Sequence, residues 1–199
     1  MNLPNKKYKI IYADPPWFYT DKRENPSSDR PKKYGGISYQ VMKIDELCNL
    51  PIKHIAEKDA ILFLWTTMPL LQKSFKVMNA WGFEYRTCGF VWVKTTTKGI
   101  RSGLGKYTNS NAELCLIGLN GKYLSRKDKS IKQIVLSPVT NHSKKPSEVR
   151  ERIVKLYGNL PRIELFARER IEGWDVWGNE APNQVQCRIE DVSAQEKKK

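Results

Sequence analysis

The chain has 199 residues, of which 40% are hydrophobic, and this length and composition suit one globular domain and exclude a disordered polymer. Its 35 Lys and Arg residues outnumber its 21 Asp and Glu residues, which gives a formal net charge of +14. Such a charge favours a polyanionic partner such as nucleic acid, although an ordinary enzyme can carry a similar charge for solubility.

The first half of the chain predicts three strands and two helices. Apolar runs predict the strands at 9–13, 60–65 and 85–93. One helix is predicted at 45–50, ending at Pro51, and another opens at Pro69 and stops at Gly82. The long polar segment 18–36 predicts a loop that is functional or disordered.

The second half continues the alternation of strands and helices. Strands are predicted at 113–119, 131–136 and 162–166, and a helix is predicted with Ser147 as its cap and Gly158 as its stop. The segment 94–110 reads as a loop. Strands that alternate with amphipathic helices predict an α/β fold with a doubly wound, mostly parallel sheet in a single domain at 1–180. The polar remainder, 181–199, is predicted to be a disordered tail.

Several kinds of site are not expected. No cysteine lies in a C-x-x-C pair and the chain has two histidines, so no metal site is predicted. Cys88 and Cys115 lie in apolar contexts and are predicted to be buried free thiols. Residues 1–9 are polar and the apolar run 60–65 is too short to span a bilayer, so we expect a soluble, cytoplasmic protein without a membrane partner.

The most informative motif is Asp14-Pro15-Pro16-Trp17, directly after the first predicted strand. Two prolines fix two φ angles and remove two N–H donors, so we expect a stiff wall with bare carbonyl oxygens beside a carboxylate and an indole. An exocyclic amine such as adenine N6 has two N–H donors, one for the Asp14 carboxylate and one for the Pro15 carbonyl. The alternative is a strand that ends at a proline turn with an Asx cap.

Two further motifs lie where ligands of doubly wound sheets bind, beyond the carboxyl ends of the strands. Ala167 and Arg168 directly follow the last predicted strand. A small residue there admits a ligand, and a guanidinium can meet the carboxylate or ribose of that ligand. Lys145 precedes a helix, and the ammonium and the helix dipole both favour an anion there. A capped helix with surface lysines is the alternative.

Nine motifs follow one another between Tyr12 and Glu180. They are YADPPW at 12–17, YQVM at 39–42, LFLWTT at 62–67, WGF at 81–83, VWVKT at 91–95, AELCLIG at 112–118, HSKKPSE at 142–148, IELFAR at 163–168 and GWDVWGNE at 173–180. This ordered set resembles the MT-A-type adenine-N6 methyltransferases, which include the catalytic subunit of the messenger-RNA adenosine methyltransferase and many bacterial and phage enzymes. The last motif is more similar to the bacterial and phage branch, which implies a bacterial or phage-infected cell.

The resemblance implies a permuted Rossmann-like class I methyltransferase that uses S-adenosyl-L-methionine. It assigns catalysis to Asp14, Pro15, Pro16 and Trp17. It assigns cofactor binding to Asp14, Lys145, Phe166, Arg168, Asn179 and Glu180, with Lys145 at the cofactor carboxylate and Arg168 at the ribose. It places Tyr39 and Trp17 near the target base and Glu113 near the substrate loop. Ile171 and Glu180 depart from the family's usual Asn and Gln, so the residues that read the cofactor adenine stay open.

Basic segments are expected to hold the nucleic acid. The segment 94–107 contains Lys94, Lys98 and Arg101 and no acidic residue, so it and the segment 20–36 are predicted to grip phosphates. A second basic group could extend that surface or be a solvated hairpin; it consists of Lys122, Arg126, Lys127, Lys129 and Lys132. A target base inside a duplex would have to be flipped out.

The leading prediction is an adenine-N6 methyltransferase that acts on DNA. An RNA methyltransferase with the same site is the nearest alternative. A non-catalytic nucleic-acid-binding subunit is a third, although such a subunit has no reason to keep Asp14. Another nucleotide-dependent α/β enzyme lacks support, because no glycine-rich loop is visible. A homodimer or a partner subunit is left open.

Overall fold

The computed structural model describes residues 3–19, 41–140 and 144–178. The predictions for segment 20–36, for Tyr39, for Asn179 and Glu180, and for the tail all lie outside these residues. Within the described part, eight strands form one sheet: β1 (Tyr8–Ala13), β2 (Ala56–Thr66), β3 (Glu84–Thr96), β4 (Gly99–Ile100), β5 (Ala112–Asn120), β6 (Ile134–Pro138), β7 (Arg162–Leu165) and β8 (Asp175–Trp177). The helices are α1 (Ile44–Cys48), α2 (Leu71–Ala80) and α3 (Ser147–Tyr157), with 3₁₀ turns at Ile52–Ile55 and Met68–Leu70.

The strand order is β4-β3-β5-β2-β1-β7-β8, and β6 also pairs with β3. The pairs β1–β2, β1–β7, β7–β8 and β3–β6 are parallel. Strand β5 is antiparallel to both β2 and β3, so β2 and β3 run in the same direction. The carboxyl ends of β1, β2, β3, β7 and β8 therefore share one side of the sheet, which we call the carboxyl edge; the opposite side is the amino edge.

Helices cover both faces of the sheet. Ile11 and Ala13 of β1 lie in a core cluster with residues of α1 and α2. Ile10 and Tyr12 point to the other face, where they lie in a cluster with residues of α3. Alternate residues of β1 thus pack against opposite helix layers, which explains why the strand is apolar except at Lys9. The predicted α/β class with a doubly wound sheet is confirmed. Among the described helices, none has both the length and the apolarity to cross a membrane.

The segment predicted as one loop at 94–110 is partly strand. Strand β3 continues to Thr96, and the two-residue strand β4 pairs back on it as a hairpin. Three consecutive threonines at 95–97 explain the extension, because β-branched side chains favour extended backbone.

Several local predictions were also inaccurate. The N-cap position of α3 is Pro146, not Ser147, and no side chain caps the helix. Strand β6 begins at Ile134 rather than at residue 131, and β8 was not predicted at all. Cys115 is buried as expected, whereas Cys88 is only half-buried.

Candidate active site

Asp14 stands at the carboxyl edge, immediately after β1. The preceding residue, Ala13, pairs with Leu64 of β2 on one side and with Leu165 of β7 on the other. The Asp14 side chain keeps 25% of its surface exposed, and its Oδ2 accepts a 2.8 Å hydrogen bond from Lys145 Nζ. Lys145 directly precedes the N-cap residue of α3, so the start of this helix carries an ammonium to the Asp14-Pro15-Pro16-Trp17 motif.

Two further charged residues extend this pair into a row. Glu113, near the start of β5, is 6% exposed, and its Oε2 lies 3.2 Å from Lys145 Nζ. Its other oxygen, Oε1, accepts a 2.5 Å hydrogen bond from Lys94 Nζ on β3. The charged row therefore runs Lys94–Glu113–Lys145–Asp14 with alternating sign. Sequence analysis singled out all four residues, but assigned them to separate tasks on cofactor and substrate.

The row affects the pKa values of Asp14 and Lys145. Burial raises the pKa of Asp14; the nearby Lys145 opposes this shift and the charge of Glu113 adds to it. For Lys145, burial alone would lower the pKa, but the carboxylates of Asp14 and Glu113 more than compensate and raise it above its ordinary value. Lys145 is therefore held as an ammonium, and Asp14 is a carboxylate that binds a proton more readily than a solvated aspartate does.

Aromatic rings lie under the row. Lys145 Nζ lies 5.7 Å from the centroid of the Trp65 ring, and Lys94 Nζ lies 5.1 Å from that of Trp92. The Trp65 indole N–H donates a 2.7 Å hydrogen bond to the buried hydroxyl of Tyr12. The aromatic faces add cation–π attraction where the lysines are largely withdrawn from water. Sequence analysis missed both tryptophans as site residues, although each belongs to a motif that it recorded.

The two prolines do not present bare carbonyls, contrary to expectation. The Pro15 carbonyl accepts a 2.8 Å hydrogen bond from the Trp17 N–H, and the Pro16 carbonyl accepts one of 2.8 Å from the Met42 N–H. Backbone N–H groups of other residues therefore satisfy both proline carbonyls. Because a carbonyl oxygen has two lone pairs, Pro15 can still receive a second donor.

Trp17 is part of the core. It is 6% exposed and lies in the cluster that packs against α1 and α2. Its indole N–H donates a 3.0 Å hydrogen bond to the carbonyl of Trp65 at the end of β2. The ring thus joins two strand ends at the carboxyl edge, and its assignment to base stacking stays a prediction that this packing does not favour.

A second ion pair lies in the layer behind Asp14. Glu164 on β7 pairs in register with Tyr12, and both its carboxylate oxygens lie 3.2 Å from Arg150 Nη1 on α3. Burial raises the pKa of Glu164 to about 7; Arg150 opposes this shift, and the charge of Asp14 adds to it. Neither residue was predicted as part of the site, although an arginine beside the apolar face of a predicted helix is a local signal of a buried charged partner.

Phe166 directly follows β7 and has an uncommon backbone conformation. Its φ is +61°, which is rare for a residue with a side chain and typical of functional sites where the surrounding fold enforces it. The centroid of its ring lies 6.4 Å from the ring centroid of Trp81 and 5.5 Å from that of Trp177. The Trp177 indole N–H is buried and has no partner among the described residues. Arg168 follows two residues later, and its charge lowers the pKa of Asp14, so it belongs to the same edge.

The other described cations that were predicted to hold nucleic acid fall into two places. Lys98 and Arg101 lie in and beyond the β3–β4 hairpin at the carboxyl edge, and both are exposed. Lys127 lies at the amino edge, since its backbone N–H bonds the carbonyl of Leu156 in the last turn of α3. The basic segment around Lys127 therefore does not extend the surface near Asp14, contrary to one of the two interpretations left open.

This topology, a sheet with helices on both faces, defines a Rossmann-like domain, and its carboxyl edge carries the paired Asp14 and Lys145. The MT-A70 family profile matches residues 8–180. The chain belongs to the MT-A70 family, as its motifs led us to expect.

Individual relatives support the same assignment. Over 193 residues the chain is 39% identical to the type II methyltransferase M.MunI of Mycoplasma sp, covering 91% of this chain and 81% of that protein. Over 179 residues it is 28% identical to the N(6)-adenosine-methyltransferase catalytic subunit METTL3 of Homo sapiens, covering 87% of this chain and 28% of that protein. The chain is 26% identical over 178 residues to the N(6)-adenosine-methyltransferase MT-A70-like protein of Arabidopsis thaliana, covering 24% of that longer protein.

Proposed function

We propose that the protein transfers a methyl group from S-adenosyl-L-methionine to the N6 atom of adenine in DNA. The observation that carries the proposal is the ion pair between Asp14 and Lys145, set at the carboxyl edge of a chain that belongs to the MT-A70 family. A relative that covers most of the chain is named a type II methyltransferase, and others are named N(6)-adenosine-methyltransferases.

The residues present fit the amino-acid end of the proposed cofactor. That end carries an ammonium and a carboxylate close together, and the Asp14 carboxylate and the Lys145 ammonium lie 2.8 Å apart with opposite charges. Each protein charge can therefore meet its complement on one zwitterionic group. Phe166, Arg168 and the segment 179–180 are proposed to hold the remainder of the molecule. When bound, S-adenosyl-L-methionine supplies a methyl group already activated by the sulfonium.

Asp14 also suits the acceptor amine. Adenine N6 carries two hydrogens, one for the Asp14 carboxylate and one for the second lone pair of the Pro15 carbonyl. These two bonds would aim the nitrogen lone pair at the methyl group, so positioning accounts for much of the rate. Asp14 need not remove a proton beforehand, because the amine becomes acidic only after it attacks. Its raised pKa suits it to receive that proton afterwards.

DNA is proposed over RNA because the type II methyltransferase relative matches along 81% of its own length. The N(6)-adenosine-methyltransferase relative of Homo sapiens matches only along 28% of its length. The site itself handles adenine and does not distinguish the two polymers. RNA is therefore the second candidate.

The test offers isotopically labelled S-adenosyl-L-methionine with adenine-containing DNA and RNA, duplex and single-stranded, followed by nucleoside mass spectrometry. Label in N6-methyldeoxyadenosine supports the proposal, and label only in N6-methyladenosine moves the protein to RNA. The matched variant is Asp14→Asn, which keeps the side chain's size and removes its charge. It is expected to lose at least about 10²-fold in rate while its thermal unfolding curve stays cooperative. Full activity of this variant would contradict the role of Asp14.

A further inference from the structure

The loop at 97–111, which we call the edge loop, leaves the sheet beside the charged row. It begins directly after β3, three residues beyond Lys94, which bonds Glu113. It returns at the start of β5, next to Glu113 itself. Both ends of the edge loop are therefore anchored at the carboxyl edge, on the same side of the sheet as Asp14.

The edge loop folds back tightly on its own backbone. A Cβ atom at Gly103 would lie 1.8 Å from the carbonyl oxygen of Ser110, and one at Gly105 would lie 2.0 Å from that of Thr108. Only glycine permits approaches this close. The two glycines allow the second half of the loop to pack directly against the first half, so the loop is a compact projection.

The projection carries apolar side chains at its surface. Leu104 is 90% exposed, Tyr107 is 98% exposed and Ile100 is 64% exposed. Scattered exposed apolar residues are ordinary, but three within eight residues of a projecting loop beside a site mark an interaction surface. Lys98, Arg101 and Lys106 alternate with them, and the loop contains no acidic residue.

We propose that the edge loop inserts the Leu104 and Tyr107 side chains into duplex DNA beside the target adenine, where they fill the gap left by the extruded base. This inference rests on the proposed function and adds the strandedness of the substrate to it. A base inside a duplex cannot reach Asp14 unless it leaves the stack, and extrusion costs pairing and stacking energy. Apolar wedges between base steps compensate for that cost, and flanking cations hold the adjoining phosphates.

Charge distinguishes this partner from a protein surface. A loop that docks on another protein would bring three cations to the interface, and interface cores are depleted in lysine. A nucleic acid instead offers phosphates to the cations and the flat faces of its bases to the apolar side chains, so the same pattern satisfies both. Docking of a second copy or of another protein is the outcome that the experiment must separate.

The experiment compares the variant Leu104→Ala/Tyr107→Ala with the unmodified chain on three substrates of one sequence: duplex DNA, the single strand, and a duplex with a mismatch opposite the adenine. We expect kcat/KM on the duplex to fall at least about tenfold, the mismatch to restore part of the loss, and the single strand to change by less than about twofold. Tyr123→Ala is the matched control, since Tyr123 is 79% exposed but lies beyond β5 at the amino edge.

A second readout separates this proposal from the proposed function. With 2-aminopurine at the target position, extrusion raises fluorescence whether or not methyl transfer follows, and the double variant is expected to lose that rise. Equal losses of kcat/KM on duplex and single strand, or no loss on either, would overturn the proposed insertion of Leu104 and Tyr107. A change in oligomeric state of the variant by light scattering would assign the loop to a protein interface. If the unmodified chain raises the fluorescence but methylates no DNA, the proposed reaction is contradicted, whereas the proposed insertion of the edge loop is supported.

Discussion

Lys145 donates a 2.8 Å hydrogen bond to Asp14 although 131 residues separate the two in the sequence. The sheet brings them together, because β1 ends where α3 begins. Since Lys145 also contacts Glu113 on β5, the charge of the proposed catalytic carboxylate depends on three distant segments. Substitutions along this row should therefore alter the pH dependence of the reaction and not only its rate.

Glu113→Gln is expected to shift the acid limb of the pH–rate profile. The negative charge of Glu113 raises the pKa of Asp14, so removing that charge lowers the pKa. If the ionised carboxylate binds the amine, activity will persist to lower pH in the variant. The measurement is kcat against pH with saturating substrate. Glu84→Gln is the matched control, since Glu84 begins β3 at the amino edge and is expected to leave the profile unchanged. An acid limb that stays in place or moves to higher pH would contradict this coupling.

Sequence patterns predicted the frame of the site well. Asp14 and Phe166 follow apolar runs that are long enough to be recognised as strands, and the carboxyl ends of such strands meet in any doubly wound sheet. Lys145 before a helix was equally visible. These features depend on neighbours in the chain, which is why a single sequence reveals them.

Contacts across the sheet were harder to predict. Glu113 was placed near the substrate loop, and nothing local indicates that two lysines from other elements bury it. The direction of β5 is also invisible, because an apolar run reads alike in parallel and antiparallel pairs. Strand β8 has three residues, too few for any periodicity to appear. The hydrogen bond from the Trp17 indole to the carbonyl of Trp65, 48 residues away, was likewise not predicted, and the assignment of Trp17 to the target base stays a prediction.

Trp17→Phe is expected to lower stability more than it affects substrate binding. Phenylalanine keeps an aromatic ring but cannot donate to the Trp65 carbonyl, and leaving a buried acceptor without its donor costs about 1–3 kcal/mol. Denaturant unfolding measures that loss directly. Because Trp17 is 6% exposed, KM for the nucleic acid should stay within about twofold while the protein is folded. A large rise in KM with unchanged stability would restore the stacking role.

Ionisation of Glu164 is expected to lower the free energy of unfolding as the pH rises. Its pKa is about 7 in the folded protein against an ordinary 4.5, so between these values the folded state binds more protons than the unfolded state. The free energy of unfolding therefore falls from about pH 4.5 to pH 7, by an amount on the order of 3 kcal/mol from this group. Glu164→Gln removes the titration and should flatten that part of the curve, measured by urea unfolding at each pH. A steeper fall in the variant would contradict the assignment.

Lys98→Ala/Arg101→Ala is expected to weaken nucleic-acid binding without weakening cofactor binding. Each phosphate contact contributes about 0.9 to the slope of log K against log salt on duplex DNA, so losing two should reduce the slope by nearly 2. Fluorescence anisotropy at several salt concentrations gives the slope, and calorimetry with S-adenosyl-L-methionine gives cofactor affinity. Lys122→Ala/Lys129→Ala removes the same charge from the basic segment that follows β5 at the amino edge. If that control changes the slope as much as the edge-loop variant does, the net charge of the protein, and not the edge loop, governs DNA binding.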